Sequence, residues 1–225
     1  MIVDTHTHPY LDEYLPDKAD SVRRAIDAGV KMMVMPNVDR PTIEPMKALH
    51  REFPDNTLMA MGLHPTEINS EWQTDLNAIE QELLSGETYH AVGEVGIDLY
   101  WDATYRDAQM EAFDTQIGWA DKLDVPVIIH CRNGLDEVLD IIKAHKGGIP
   151  ELIFHSFGGE AGDVDRIRDI CDPWFGINGI VTFKNSQLRN VLSHIGVQDL
   201  TGLFVVLQEG HGQDSALVIG GGVAT

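Results

Sequence analysis

Short apolar runs alternate with longer amphipathic segments from one end of the chain to the other. Ile2 and Val3 lead into Asp4-Thr5-His6-Thr7-His8 and predict a first strand. Residues two apart on a strand share a face, so His6 and His8 present two imidazoles together. Asp17 to Ala28 carries Ala19, Val22, Ala25 and Ile26 at helical spacing, with Gly29 placed to end the helix. Val30 to Met35 reads as a buried strand, Pro41 to Phe53 as a helix with proline at its start, and Thr57 to Leu63 as a third strand. Helical stripes over Glu71–Leu84, Tyr105–Leu123, Leu135–His145, Val164–Cys171 and Leu188–His194 then alternate with strands at Tyr89–Val95, Val125–His130, Leu152–His155, Trp174–Ile177 and Leu203–Leu207.

Eight continuous apolar strands separated by helices imply a parallel sheet buried on both faces. The repeat points to a (β/α)8 TIM-type barrel; an open doubly wound sheet is the alternative. The 225 residues form one expected domain, 1–225, with no linker or low-complexity stretch to divide it. A full barrel usually takes about 250 residues. The glycine-rich residues 208–225 look unlike a barrel's last layer, so the barrel is expected to be incomplete at its C-terminal end.

The chemistry lies in where the histidines fall. Of ten, five (His6, His8, His64, His130 and His155) stand at the ends of predicted strands, as does Glu94. In an α/β barrel those ends converge on one mouth. A buried structural histidine could explain any single one of them, His64 above all, but not the coincidence. Four imidazoles and a carboxylate exceed what one tetrahedral ion needs, so two divalent ions are the economical interpretation. The two oxygens of Glu94 could each hold one ion of a pair about 3.5–4 Å apart. The chemistry implied is hydrolysis. No G-x-S-x-G elbow, phosphate loop or G-x-G-x-x-G fingerprint is present, so serine chemistry and a nucleotide cofactor are disfavoured.

Composition changes the picture in two ways. With 16 basic against 36 acidic residues, the net charge of -20 excludes a broad basic face for long duplex nucleic acid. Cys131 and Cys171 form no CxxC, no apolar run reaches 18 residues, and no basic leader is present, so a cytoplasmic protein away from membranes is expected.

The motifs Val3-Asp4-Thr5-His6-Thr7-His8, Gly62-Leu63-His64-Pro65, Ala91-Val92-Gly93-Glu94-Val95-Gly96-Ile97-Asp98, Ile128-Ile129-His130-Cys131-Arg132, Phe154-His155-Ser156-Phe157 and Gly176 to Lys184 occur in this order. Together they resemble the successive motifs of TatD-like metal-dependent hydrolases, from residue 1 to about Leu207. The resemblance implies an amidohydrolase-type barrel, a two-metal site for magnesium, manganese, zinc or nickel, and hydrolysis of phosphodiester bonds, usually as a deoxyribonuclease. It implies that His6, His8, Glu94, His130 and His155 are metal ligands and that Glu94 and His64 are catalytic, His64 reaching the substrate phosphate or the reacting water. Arg132 and Ser156 become candidate phosphate contacts. DNA ends or small phosphodiesters are the expected substrates, since no extended basic track exists.

The chain departs from the family at its end. The family places Glu-Thr-Asp after the eighth strand, and that Asp completes the metal site as general base. Here Gln208-Glu209-Gly210-His211 follows, with Gly210 or His211 standing where the Asp belongs. A frameshifted or truncated C-terminus is the expectation this raises. Two further readings stay open: an amidohydrolase acting on C–N or lactone bonds, and a family member crippled by the missing Asp. Tyr100 and Trp101, in a loop just past Asp98, are candidate base-stacking residues, whereas the other tryptophans read as packing.

Overall fold

The computed structural model describes residues 2–12, 17–145, 148, 151–196 and 199–203. Its strands and α-helices alternate: β1 (Ile2–Asp4), α1 (Lys18–Asp27), β2 (Val30–Pro36), α2 (Ile43–Glu52), β3 (Thr57–Met61), α3 (Trp72–Leu83), β4 (Ala91–Asp98), α4 (Arg106–Leu123), β5 (Val127–Arg132), α5 (Leu135–Ala144), β6 (Leu152–Phe154), α6 (Ala161–Arg168), β7 (Pro173–Ile177), α7 (Leu188–Ile195) and β8 (Leu200–Leu203), with 3-10 turns at Pro65–Glu67 and Gly179–Thr182. All eight strands lie in one sheet in chain order, each parallel to the next. This is the (β/α)8-type barrel fold, not a doubly wound sheet, whose order would reverse partway.

The helices form where the sequence spacing predicts. Trp72, Leu76, Ile79 and Leu83 make one buried stripe of α3, and Asp17 caps α1 by accepting from the Asp20 amide at 3.2 Å. The one displaced helix is α6, which begins three residues before Val164 because Glu160 and Asp163 cap it reciprocally. The main core lies between sheet and helices, where side chains such as Met35, Met59, Phe113, Ile129, Phe154 and Phe175 are almost wholly buried. Each contributes roughly 1.5–3 kcal/mol of transfer free energy. Ala60, Ala91 and Ile128, with Val34 and Ile153 against them, form a separate small cluster on the other face of the sheet.

Strand β4 sets the site. Strict alternation would send Glu94 to the opposite face from Ala91, three residues earlier. The pairing with β5 shifts register between Val92 and Val95, and that irregularity turns Glu94 onto the face shared by Ile128 and His130. Such bulges re-aim side chains beside functional sites. Past the shift, Gly96 pairs with His130 at φ +138°, and a Cβ there would lie 2.0 Å from the His130 carbonyl oxygen. Only glycine lets the two backbones approach this closely.

β4 therefore runs to Asp98, three residues beyond the predicted end. β8 occupies Leu200–Leu203 and meets the predicted Leu203–Leu207 strand only at Leu203; the rest of that segment lies outside the described residues. Among the described residues no helix is long and apolar enough to cross a membrane.

Candidate metal centre

The strand ends bring all five singled-out histidines around Glu94. His6 and His8 lie just past β1 instead of on it, yet their imidazoles meet as expected, Nε2 to Nε2 at 2.9 Å. His64 follows β3 and opens a short 3-10 turn, Pro65–Glu67. His130 sits inside β5, and His155 directly follows β6.

Glu94 is 3% exposed, and its two oxygens serve different neighbours. Oε2 lies 2.9 Å from His6 Nε2 and 3.7 Å from His8 Nε2. Oε1 lies 3.1 Å from His130 Nδ1 and 3.8 Å from His64 Nε2. His155 stacks on His6, ring centroids 3.3 Å apart and planes nearly parallel at 11°. Two triads result, His6–Glu94–His155 and His64–Glu94–His130, the ligand atoms of each lying within 4.8 Å of one another.

The hydrogen bonds decide which nitrogen faces the centre. The Tyr10 hydroxyl donates to the Pro36 carbonyl, so at 2.9 Å it accepts from His8 Nδ1, leaving the His8 Nε2 lone pair toward Glu94. His130 donates Nε2–H to Asp98 Oδ2 at 2.9 Å, which turns Nδ1 inward. His64 is the reverse: the Thr66 amide donates to its Nδ1 at 3.2 Å, so its inward nitrogen is an N–H donor. His8 thus offers a lone pair to a cation, as does His130 once its Nδ1 has lost its proton, while His64 offers a proton to an anion.

The donor set fits divalent ions on this chain's own chemistry. A buried carboxylate is surrounded by imidazoles, and among the described residues no lysine or arginine pairs with it. His6 Nδ1 is buried without a hydrogen-bond partner. Burial pushes His6 and His155 below the ordinary histidine range, His155 far below, so both are neutral donors at pH 7. Burial raises the Glu94 carboxyl, but the imidazoles around it outweigh that and hold it well below the usual carboxylate range. Burial lowers His130 too, but its bonds to Asp98 and Glu94 prevail and lift it to about 9.

Three residues that the sequence left without a role hold this arrangement. Asp98, 3% exposed, fixes the His130 ring. Gln109 of α4 accepts from the Asp98 amide at 2.9 Å and donates to its carbonyl at 3.0 Å. Two turns on, Gln116 accepts from the Leu63 amide at 2.7 Å and donates to its carbonyl at 3.3 Å, fixing the residue before His64. Both glutamines are buried on the stripe that carries Ala112, Phe113 and Ile117. Two amides on an otherwise apolar stripe were the available signal.

Arg132 ends β5 exposed, its guanidinium over the Tyr100 ring. Ser156 has φ 52° and its hydroxyl accepts from Asn178 Nδ2. Gly210 and His211, one or the other standing where the Asp is expected, lie outside the described residues.

The model of the TatD-related DNase family matches residues 3–201. An uncharacterised metal-dependent hydrolase of Bacillus subtilis, YabD, is 34% identical over 187 residues, spanning 83% of this chain and 72% of that protein. The 3'-5' ssDNA/RNA exonuclease TatD of Yersinia pseudotuberculosis is 27% identical over 190 residues, 84% of this chain and 72% of its own length. Among solved structures, YjjV, a TatD homologue from Escherichia coli, superposes with a TM-score of 0.83 at 25% identity, covering 94% of this chain and 84% of that one. An amidohydrolase from Saccharomyces cerevisiae, 16% identical with a TM-score of 0.74 over 88% and 73% of the two chains, shares the fold.

Proposed function

The chain belongs to the TatD-related DNase family of metal-dependent hydrolases, and on that premise we propose that it hydrolyses phosphodiester bonds at single-stranded nucleic-acid ends with two divalent ions. The observation that carries this reading is the division of Glu94: Oε2 turns to His6 and His8, Oε1 to His130 and His64. His6, His8 and His155 would hold one ion with Glu94 and His130 the other, with Glu94 as the bridge. Divalent ions bound there supply Lewis acidity to the phosphoryl group and make water a nucleophile near neutral pH.

The chain's own residues do the rest. His64 donates from Nε2 to a non-bridging phosphate oxygen, its tautomer fixed by the Thr66 amide. Asp98 keeps His130 Nδ1 turned inward, a carboxylate–histidine arrangement that raises ligand basicity. Arg132 and Ser156, on the loops after β5 and β6, are the proposed phosphate contacts. Residues 1–225 act as one domain, and the thiols Cys131 and Cys171, which form no disulfide, support a cytosolic setting. A fluorescently labelled single-stranded oligonucleotide with manganese tests the reading. Hydrolysis is expected and should vanish on chelation; activity that survives chelation excludes the metal-dependent reading.

Two further outcomes follow from the second triad. Asp98→Asn keeps the volume but loses the charge on His130, and divalent-ion affinity should fall about 10- to 100-fold in competition with a chromogenic chelator. An unchanged affinity would show that Asp98 does not act through His130. Ion uptake should also release a proton. With its pKa at about 9, His130 is protonated at pH 7 and must lose its Nδ1 proton to coordinate, whereas His6 and His155 are already neutral. Calorimetry in buffers of different ionisation enthalpy should give about one proton per protein at pH 7, with affinity rising toward pH 9. Without ions the sign reverses: the raised His130 value stabilises the fold below pH 6.5, and that contribution is lost as pH rises through about 9.

A further inference from the structure

The hydrolytic centre leaves one built feature at the mouth without a full role. Past β4, the Arg132 guanidinium carbon lies 3.6 Å from the Tyr100 ring centroid and 5.3 Å from that of Trp101. The two rings meet edge to face at 4.9 Å and 87°. Yet Tyr100 is 51% and Trp101 74% exposed, whereas Trp72 and Trp119 are buried at 7%. Aromatic surface of this size is ordinarily withdrawn from water.

The group is also fixed to the centre. Arg132 pairs in register with Asp98, and its carbonyl accepts from the Leu99 amide at 2.9 Å. The Tyr100 amide donates to Asp98 Oδ1 at 3.0 Å, while Asp98 Oδ2 accepts from His130. One carboxylate therefore holds both a proposed ligand and the loop that carries the aromatic pair. Along β5, Arg132 lies roughly 7 Å beyond His130, two residues of extended chain.

We propose that Trp101, with the Tyr100–Arg132 pair behind it, is a base-stacking subsite that receives the nucleobase adjoining the scissile phosphodiester. This rests on the phosphodiesterase reading and adds a requirement to it: the base must be unpaired. Tyr100 already has one face against the guanidinium, so the open indole is the free platform. Stacking accepts any base, because every base has a π-face, and a guanidinium alongside adds cation–π attraction. Arg132 supplies a positive charge next to the adjoining phosphate on a chain whose net charge is -20. A base inside a duplex has no free face to offer, so the platform also selects frayed or single-stranded ends.

The test compares kcat/KM, with manganese, for a single-stranded oligonucleotide and for versions carrying an abasic residue at the 3′ or the 5′ terminal nucleotide. The full chain should prefer the base-bearing strand over the abasic one at the attacked end by about tenfold. Trp101→Ala should bring that ratio close to one, and Trp101→Phe should retain most of it. Equal ratios in the full chain and Trp101→Ala, or no preference in the full chain, would overturn the platform while leaving the phosphodiesterase reading intact. If no strand is cleaved at all, the phosphodiesterase reading fails, and binding of a strand ending in 2-aminopurine decides the platform alone. Fluorescence quenching that Trp101→Ala loses and Trp101→Phe keeps supports the subsite; quenching unchanged in Trp101→Ala, or no quenching, excludes it.

Discussion

Glu94→Gln should lower single-turnover hydrolysis by about 10³-fold or more, with circular dichroism and the melting transition close to those of the parent chain. The substitution keeps shape and volume, so packing against β5 is preserved. It removes the negative charge that both triads share. Oε2 faces His6 at 2.9 Å and Oε1 faces His130 at 3.1 Å, so a neutral amide, which offers one oxygen and one N–H₂, cannot serve both. One side must then meet a donor where an acceptor stood. Ion stoichiometry should fall with the rate, and the His130 pKa should drop from about 9, because the partner at Nδ1 has lost its charge. A rate within tenfold of the parent would mean that the reaction does not pass through the Glu94 position.

Gly96→Ala should have the largest effect on folding, destabilising the chain by about 3 kcal/mol or more. The new Cβ would sit 2.0 Å from the His130 carbonyl oxygen, at a φ of +138° that side chains rarely adopt. Backbone cannot yield as a flexible side chain does, so β4 and β5 must separate. Those strands carry Glu94 and His130, and ion binding should be lost with the pairing. Urea denaturation measures the stability loss, and soluble protein with an unchanged midpoint would contradict the described register of β4 on β5. Gly118→Ala is the control, since a Cβ there meets nothing within 4 Å.

Much of the architecture was legible because each level of the sequence agreed with the next. Continuous apolar strands such as Val127-Ile128-Ile129 require cover on both faces, and only a parallel sheet with helices on its outside gives it. The histidines were legible for a related reason: a structural role can explain one imidazole at the end of an apolar strand, but not the same event at several strand ends. Other features depend on long-range pairing, which periodicity does not encode. That Glu94 faces His130 depends on a register shift in β4, and that β4 continues to Asp98 depends on Gly96 allowing β5 to approach. Asp98 sat inside a quoted motif, but its effect on His130 arises from a contact 32 residues away in sequence.

Tautomers were equally out of reach of the sequence. His8 and His64 are the same residue type at similar strand ends, yet Tyr10 makes one an inward acceptor and Thr66 makes the other an inward donor. That difference separates a proposed ligand from a proposed substrate contact. The buried glutamines of α4 show the same limit, since a polar residue on an apolar stripe signals a partner without naming it. Leu63 and Asp98 are those partners only because β3 and β4 end against the same helix.

Anomalous diffraction from crystals grown with manganese tests the two-ion centre most directly. Two peaks are predicted, about 3.5–4 Å apart, one beside Glu94 Oε2 among His6, His8 and His155, the other beside Oε1 and His130 Nδ1. A single peak, or two peaks with Glu94 bound to neither, would contradict the bridging role on which the proposed hydrolysis depends.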